Sequence, residues 1–248
     1  MPIITLTTDF GSRDGYVGAL KGVISRLTPS ATLIDIAHDI PRGDIAHAAF
    51  VVATSTPEFP GGTIHVVVVD PGVGGERPCV IARVPVAPRG VHIYVGPDNG
   101  VFAYLVADRA WTINTAALGA ISPTFHGRDV FAPAAALIAK PAHTEVYGPA
   151  TTLTGKLPWG GGGHIVHIDH FGNLISDVRG EPGANAVSIS GHRVPIVKTY
   201  EDVAPGSTLA YVGSSGTLEV AVRDGRADTQ LGIARGASIT IDQEGPYR

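Results

Sequence analysis

The stretch TIHVVVV, residues 63–69, is almost continuously apolar and runs directly into Asp70-Pro71-Gly72-Val73-Gly74. A strand without polar alternation is one buried on both faces, which sets it inside a sheet with helices packed above and below. Working outward, Ile3 to Thr8 reads as a strand, Tyr16 to Leu27 as a helix, Thr32 to Ile36 as a strand and Asp44 to Thr54 as a helix. On the other side, Cys79 to Val84 and Val91 to Val95 read as strands, and Phe102 to Ala107 and Val130 to Ala139 as helices. This alternation predicts an α/β fold with a largely parallel sheet over residues 1–157.

Beyond residue 157 the texture changes. Pro158-Trp159 and the run Gly160 to Gly163 read as a glycine-rich linker over 158–163. Residues 164–248 then offer short strand-like pieces: His164 to Ile168, Leu174 to Ser176, Ala186 to Ile189, Leu209 to Val212, Leu218 to Val222 and Ser238 to Ile241. Turn residues separate them and little looks helical, as in a smaller β-rich domain such as a barrel.

The composition, 44% hydrophobic and 16% charged over 248 residues, is that of a globular chain. A net charge of −4 without a basic run gives no footprint for nucleic acid. The single cysteine, Cys79, excludes an internal disulfide and paired-cysteine zinc sites. MPIITLTTDF lacks the basic and apolar segments of a signal peptide, and no apolar run is long enough to span a bilayer. The expectation is a cytoplasmic protein without membrane partners.

Ligands of open α/β sheets gather beyond the carboxyl ends of the strands. Four early strands run into polar loops there: Asp9-Phe10-Gly11 with Asp14-Gly15, His38-Asp39, Asp70 to Gly74, and Gly96-Pro97-Asp98-Asn99-Gly100. Each alone is ordinary turn chemistry; together they predict a cleft lined by carboxylates. Gly72-Val73-Gly74-Gly75 is not a dinucleotide loop, because a strand rather than a helix follows it, and no phosphate-binding loop ending in Gly-Lys-Ser or Gly-Lys-Thr occurs. Two further clusters are Thr124-Phe125-His126-Gly127-Arg128-Asp129 and Asp169-His170-Phe171-Gly172-Asn173.

In this order the clusters resemble the S-adenosyl-L-methionine hydroxide adenosyltransferase family, hydrolytic relatives of the bacterial fluorinase and chlorinase. The resemblance is carried by TDFGSRDGYVGALKG (8–22), HDIPRGD (38–44), VVDPGVGGERP (68–78), GPDNG (96–100), PTFHGRDVFAPAAA (123–136), IDHFGN (168–173) and YVGSSGTLEVAV (211–222). It implies a Rossmann-like N-terminal domain, a C-terminal β-barrel, and a homotrimer with active sites at the subunit interfaces. It implies hydrolysis of S-adenosyl-L-methionine to adenosine and L-methionine, with neither metal nor cofactor. Asp70, Arg77 and His126 match the family's water-activating set. Asp9 matches a ribose contact, Asn173 an adenine contact, and Phe125 and Tyr200 the faces of the base. Asp14, Asp169, Tyr211, Ser214 and Ser215 resemble positions around the methionine amine and carboxylate.

The chemistry is consistent with that set. A sulfonium is already a good leaving group, so the missing element is a nucleophile: a water that is oriented and relieved of a proton. Asp70 and His126 both suit that role, and Arg77 would keep Asp70 ionised. Where halogenases carry an aromatic residue before proline, and Tyr-Ser after Pro-Thr-Phe, this chain has Asp70, His126 and Gly127. A carboxylate there repels a halide and favours water. Two other readings of the cleft are a magnesium- or manganese-dependent nucleotidase or phosphatase using Asp9, His38, Asp39, Asp70 and Asn99, and a non-catalytic adenosine-binding protein. Residues 223–228 (RDGRAD) depart from the shorter Asn-Ala turn of the family.

Overall fold

A computed structural model describes residues 1–140, 142–157, 162–181 and 183–242. The first of two units, Met1–Leu157, contains β1 (Ile3–Thr8), α1 (Tyr16–Leu27), β2 (Thr32–Ala37), α2 (Ile45–Ser55), β3 (Ile64–Val68), β4 (Cys79–Val86), β5 (Gly90–Pro97), β6 (Arg109–Ile113), α3 (Ala132–Ile138) and β7 (Tyr147–Thr151). Seven strands form one sheet in the order β2-β1-β3-β5-β4-β6-β7.

All five residues of β3 are buried, between β1 and β5. Val66 and Val68 pack with Ile4, Leu6 and the α1 residues Leu20 and Ile24. Val67 and Val69 face the other way, toward Ala48 and Val52 of α2. The apolar run therefore has helices on both sides, as read from the sequence. Asp44 starts α2 by accepting the His47 N–H at 3.0 Å, an ordinary side-chain cap.

The sheet is mixed rather than largely parallel. The β1–β2, β1–β3 and β3–β5 pairs are parallel, while β4–β5, β4–β6 and β6–β7 are antiparallel. For β4–β5 the cause is the short link over residues 87–89, since a parallel pair needs a crossover of a dozen or more residues. A second correction concerns Phe102 to Ala107, which forms turns closed by Ala103 N–H to Gly100 O and Leu105 N–H to Phe102 O. Val101 and Phe102 are buried in the core beside Tyr94, and so short a run does not offset the cost of helix nucleation.

The second unit, Pro158–Arg248, contains β8 (Ile165–Ile168), β9 (Leu174–Arg179), β10 (Ala186–Ile189), β11 (His192–Pro195), β12 (Thr208–Val212), β13 (Thr217–Val222), α4 (Ala227–Leu231) and β14 (Ile239–Asp242). Residues 158–161 of the expected linker lie outside the described residues. The strands form two antiparallel sheets, β12-β13-β9-β8 and β11-β10-β14. Isolated bridges, His164 to Ser238 and Ile196 to Ala210, connect the two sheets. Ile165, Leu174, Val187, Ile189, Leu218 and Val220 form their common core. No helix among the described residues is long and apolar enough to cross a membrane.

Candidate active site

The carboxyl ends of β1 and β3 open onto a cavity of ≈ 350 Å³ whose lining includes Asp9, Phe10, Tyr16, Asp70, Phe125 and His126. Asp70 follows β3 directly. Its loop is brought against the 123–127 segment at Gly74, where φ is +79° and an added Cβ would lie 2.5 Å from the Pro123 carbonyl oxygen. Only glycine combines that backbone with that approach.

Arg77 joins the two segments. Its Nε donates to Asp70 Oδ1 and Oδ2, each at 3.0 Å, and its Nη2 to Asp70 Oδ2. Nη2 also lies 2.8 Å from His126 Nδ1, and Nη1 donates to Cys79 Sγ at 3.2 Å. The Arg77 and Asp70 side chains are 11% and 4% exposed, so solvent screens this pair far less than a surface ion pair. Burial, the largest single influence, would ease proton loss from Arg77, but the interactions with Asp70 and Cys79 together outweigh it and hold the guanidinium charged.

A guanidinium only donates, so His126 Nδ1 accepts and the neutral ring carries its proton on Nε2. Burial, followed by the Arg77 charge, pushes the imidazole pKa down, against weaker pulls from Asp70 and Asp129. His126 stands immediately before a widened turn, residues 127–131, in which the Ala132 N–H bonds to Gly127 O. Such i→i+5 turns recur at functional sites. Phe10, Tyr16 and Phe125 meet edge to face at centroid distances of 5.4–6.0 Å. Phe10, Tyr16 and Cys79 join the site beyond the residues expected from sequence. Phe10 and Tyr16 lie inside the motif at 8–22, and Cys79 stands two residues after Arg77, so all three are within or beside the quoted motifs.

Not every strand-end loop contributes. Asp9 reaches the cavity while accepting the Gly43 N–H at 2.8 Å. Asp14 is exposed in the bend before α1. His38 is tied to Thr8 Oγ1 at 2.8 Å and lies 3.1 Å from Asp35. Asp98 accepts from Thr154 and Gly155, and Asn99 donates to Val69 O, so that loop is occupied in holding backbone. Among the described residues, no three His, Cys, Asp or Glu side chains converge as metal ligands.

The second unit has its own cavity, of ≈ 580 Å³, lined among others by Phe171, Asn173, Tyr200, Arg223 and Arg226. Asp169 Oδ1 accepts the Phe171 and Asn173 N–H groups, and Oδ2 accepts Asn173 Nδ2, all at 2.9 Å. The Asn173 side-chain carbonyl and one of its amide hydrogens remain for a ligand. Arg226, in the departing 223–228 segment, braces this loop by donating to His170 O and to Asp228. Tyr211 joins Tyr200 hydroxyl to hydroxyl at 2.9 Å. Ser214 and Ser215 are exposed in the β12–β13 turn, Ser215 lying 3.1 Å from Thr217 Oγ1. Phe125 and Tyr200, read as the two faces of one base site, thus belong to different units.

Comparison with known proteins accounts for both units. An (R)-S-adenosyl-L-methionine hydrolase of Thermus thermophilus is 38% identical, the match covering 94% of this chain and 97% of the relative. One of Salinispora tropica is 39% identical over 97% of each. A fluorinase of Actinoplanes is more distant, 24% identical over 97% of each. Among solved structures, an uncharacterised conserved protein of Thermotoga maritima superposes with a TM-score of 0.86 at 29% identity, over 97% of this chain and all of the other. Residues 4–148 match the SAM hydroxide adenosyltransferase N-terminal domain and residues 163–240 the C-terminal domain. Carrying both domains in order, the chain belongs to the SAM hydroxide adenosyltransferase family.

Proposed function

We propose that this protein hydrolyses S-adenosyl-L-methionine to adenosine and L-methionine. The hydrolase relatives support the reaction. The single observation that carries the assignment of residues is the Arg77 guanidinium, bonded at once to Asp70 and His126 at the edge of one cavity.

The arrangement divides the labour between the two candidate bases. His126 Nδ1 is occupied by Arg77 and its Nε2 carries the proton, so the imidazole orients water as a donor. Asp70 keeps lone pairs beyond those that Arg77 uses and is the proton acceptor. A water held between them attacks the ribose 5′-carbon in line with sulfur. The new C–O bond forms as the C–S bond breaks, and its electron pair returns to sulfur as the neutral thioether of methionine. The proton lost by water passes to Asp70 and then to solvent. The carboxylate disfavours a halide in the same place. Asp9 meets the ribose hydroxyls, Phe125 and Tyr200 face the base, and Asn173 reads its edge. Asp14, Asp169, Tyr211, Ser214 and Ser215 surround the amino-acid end.

The same reading makes the first unit a Rossmann-like domain and the second a β-barrel, the latter supported by the two bridges between its sheets. It also includes a cytoplasmic homotrimer with active sites at subunit interfaces and no metal or cofactor, proposals that rest on the family resemblance. The test is to incubate the protein with S-adenosyl-L-methionine in heavy-oxygen water, before and after exhaustive chelation, and to separate the products. Label at the adenosine 5′-oxygen, unaffected by chelation, is expected. Adenosine bound without turnover, or activity lost with the metal, overturns the reading.

A further inference from the structure

A carboxylate is buried in the second unit where the hydrolytic chemistry requires none. Glu219 on β13 sits directly opposite Tyr211 on β12 and is 9% exposed. Tyr211 donates its phenolic proton to Glu219 Oε2 at 2.6 Å. Tyr211 and Tyr200 meet at 2.9 Å, with ring centroids 5.3 Å apart and planes tilted by 51°.

The donor order in this chain is determined by its end. An ionised carboxylate only accepts, so Tyr211 uses its one O–H on Glu219 and meets Tyr200 as an acceptor. The proton of the second bond is therefore that of Tyr200. Both rings are held by the one buried group, and Tyr200 lines the ≈ 580 Å³ cavity with Phe171 and Asn173. Room for the carboxylate comes from Gly213, where a Cβ would fall 1.8 Å from Glu219 Oε1. Burial, offset by the Tyr211 bond and reinforced by Asp169, pushes the Glu219 pKa up; burial, then Glu219 and Tyr200, hold the Tyr211 proton on.

We propose that Glu219 is a positioning residue for the nucleoside end of the substrate: acting through Tyr211, it fixes Tyr200 in the wall of the cavity, so that affinity depends on a group that lines no part of it. A side chain ordered in advance saves the cost of ordering it on binding. The proposal rests on the assignment of Tyr200 to the base.

The test compares Glu219→Gln, Glu219→Leu and Tyr211→Phe in the full chain, by steady-state kinetics and by calorimetric titration with adenosine. In Glu219→Leu, KM and the adenosine Kd rise about tenfold or more while kcat stays within about twofold, the size expected for one lost hydrogen bond to a charged group. Tyr211→Phe, read by adenosine titration, raises the Kd by a similar factor, and combining it with Glu219→Leu adds little to that Kd. Glu219→Gln, which retains an acceptor oxygen, recovers part of the affinity and lets the Tyr211 phenol ionise at lower pH in an ultraviolet titration. Wild-type adenosine affinity in folded Glu219→Gln and Tyr211→Phe overturns the proposal, as does a loss confined to kcat. These two variants decide the matter if Glu219→Leu does not fold. A wild-type protein that binds adenosine without turnover overturns the hydrolase reading and leaves Glu219 to be judged by adenosine affinity. One that neither binds adenosine nor turns over S-adenosyl-L-methionine overturns both.

Discussion

The thiol of Cys79 receives Arg77 Nη1, 3.2 Å away, the guanidinium nitrogen that neither Asp70 nor His126 uses. Burial pushes this thiol pKa up, against the opposing pull of Arg77, so sulfur meets the guanidinium as a neutral acceptor. Cys79→Ala leaves Nη1 without this partner and loosens the group that aligns both others. We expect kcat to fall about 3- to 10-fold, the value of one modest hydrogen bond, with Cys79→Ser recovering most of it. Steady-state kinetics of the two variants check this.

Asp70→Asn keeps the shape of the side chain and removes the proton acceptor. Loss of a general base costs about 10²- to 10⁴-fold in kcat. Adenosine affinity changes little, because Asp70 acts on water rather than on the nucleoside. Equal losses in turnover and in adenosine binding, measured side by side, would assign Asp70 to binding instead.

His126 works in its neutral form, and its pKa lies below the ordinary imidazole value. A lowered histidine pKa keeps the ring neutral as pH falls past that value. The kcat/KM profile therefore stays level through about pH 6.5 and declines only below it. An acid limb at or above the ordinary value would count against the tautomer that Arg77 imposes.

Away from the cavity, His65 Nδ1 bonds Thr5 Oγ1 at 2.8 Å and its Nε2 meets His92 Nδ1 at 3.1 Å. Burial, then the neighbouring His92, lowers the His65 pKa from 6.5 to about 3. Between these values the unfolded chain binds a proton that the native protein does not, so stability is complete above pH 6.5 and falls as pH approaches 3. Each unit of the difference is worth about 1.4 kcal/mol. Denaturant titrations between pH 7.5 and 4.5 measure the loss, and the His65 ring resonances of the native protein should not titrate across that range.

Locally encoded features were the readable ones. The apolar run at 63–69 states its own burial, and the helix over Tyr16–Leu27 is written in consecutive residues. β6 and β7 carry no local signal, because their pairing joins Ala110 to Thr151, residues far apart in sequence. α4 is a five-residue element after the Arg226 brace, too short to carry a period. The direction of β4 is legible in its three-residue link to β5, which is too short for a parallel crossover. Within the site, the order of motifs pointed to Asp70, Arg77 and His126. That Arg77 joins the other two depends on Gly74 lying against Pro123, a tertiary contact. Glu219 is not legible in sequence, because a glutamate within a strand pattern reads as a solvated position until its partner across the sheet is known.

The widened turn after His126 has a consequence for how this site tolerates insertions and deletions. Successive residues of an α-helix are offset by about 100° around its axis. Removing one residue between Gly127 and Phe131 would close the turn to ordinary α geometry. With α3 held in the core by its small buried residues, the imidazole would swing through roughly that angle, away from Arg77. The extra residue works as a phase adjuster, separating the rotational setting demanded by core packing from the one demanded by the imidazole. The length of this segment is therefore constrained as tightly as the identity of His126.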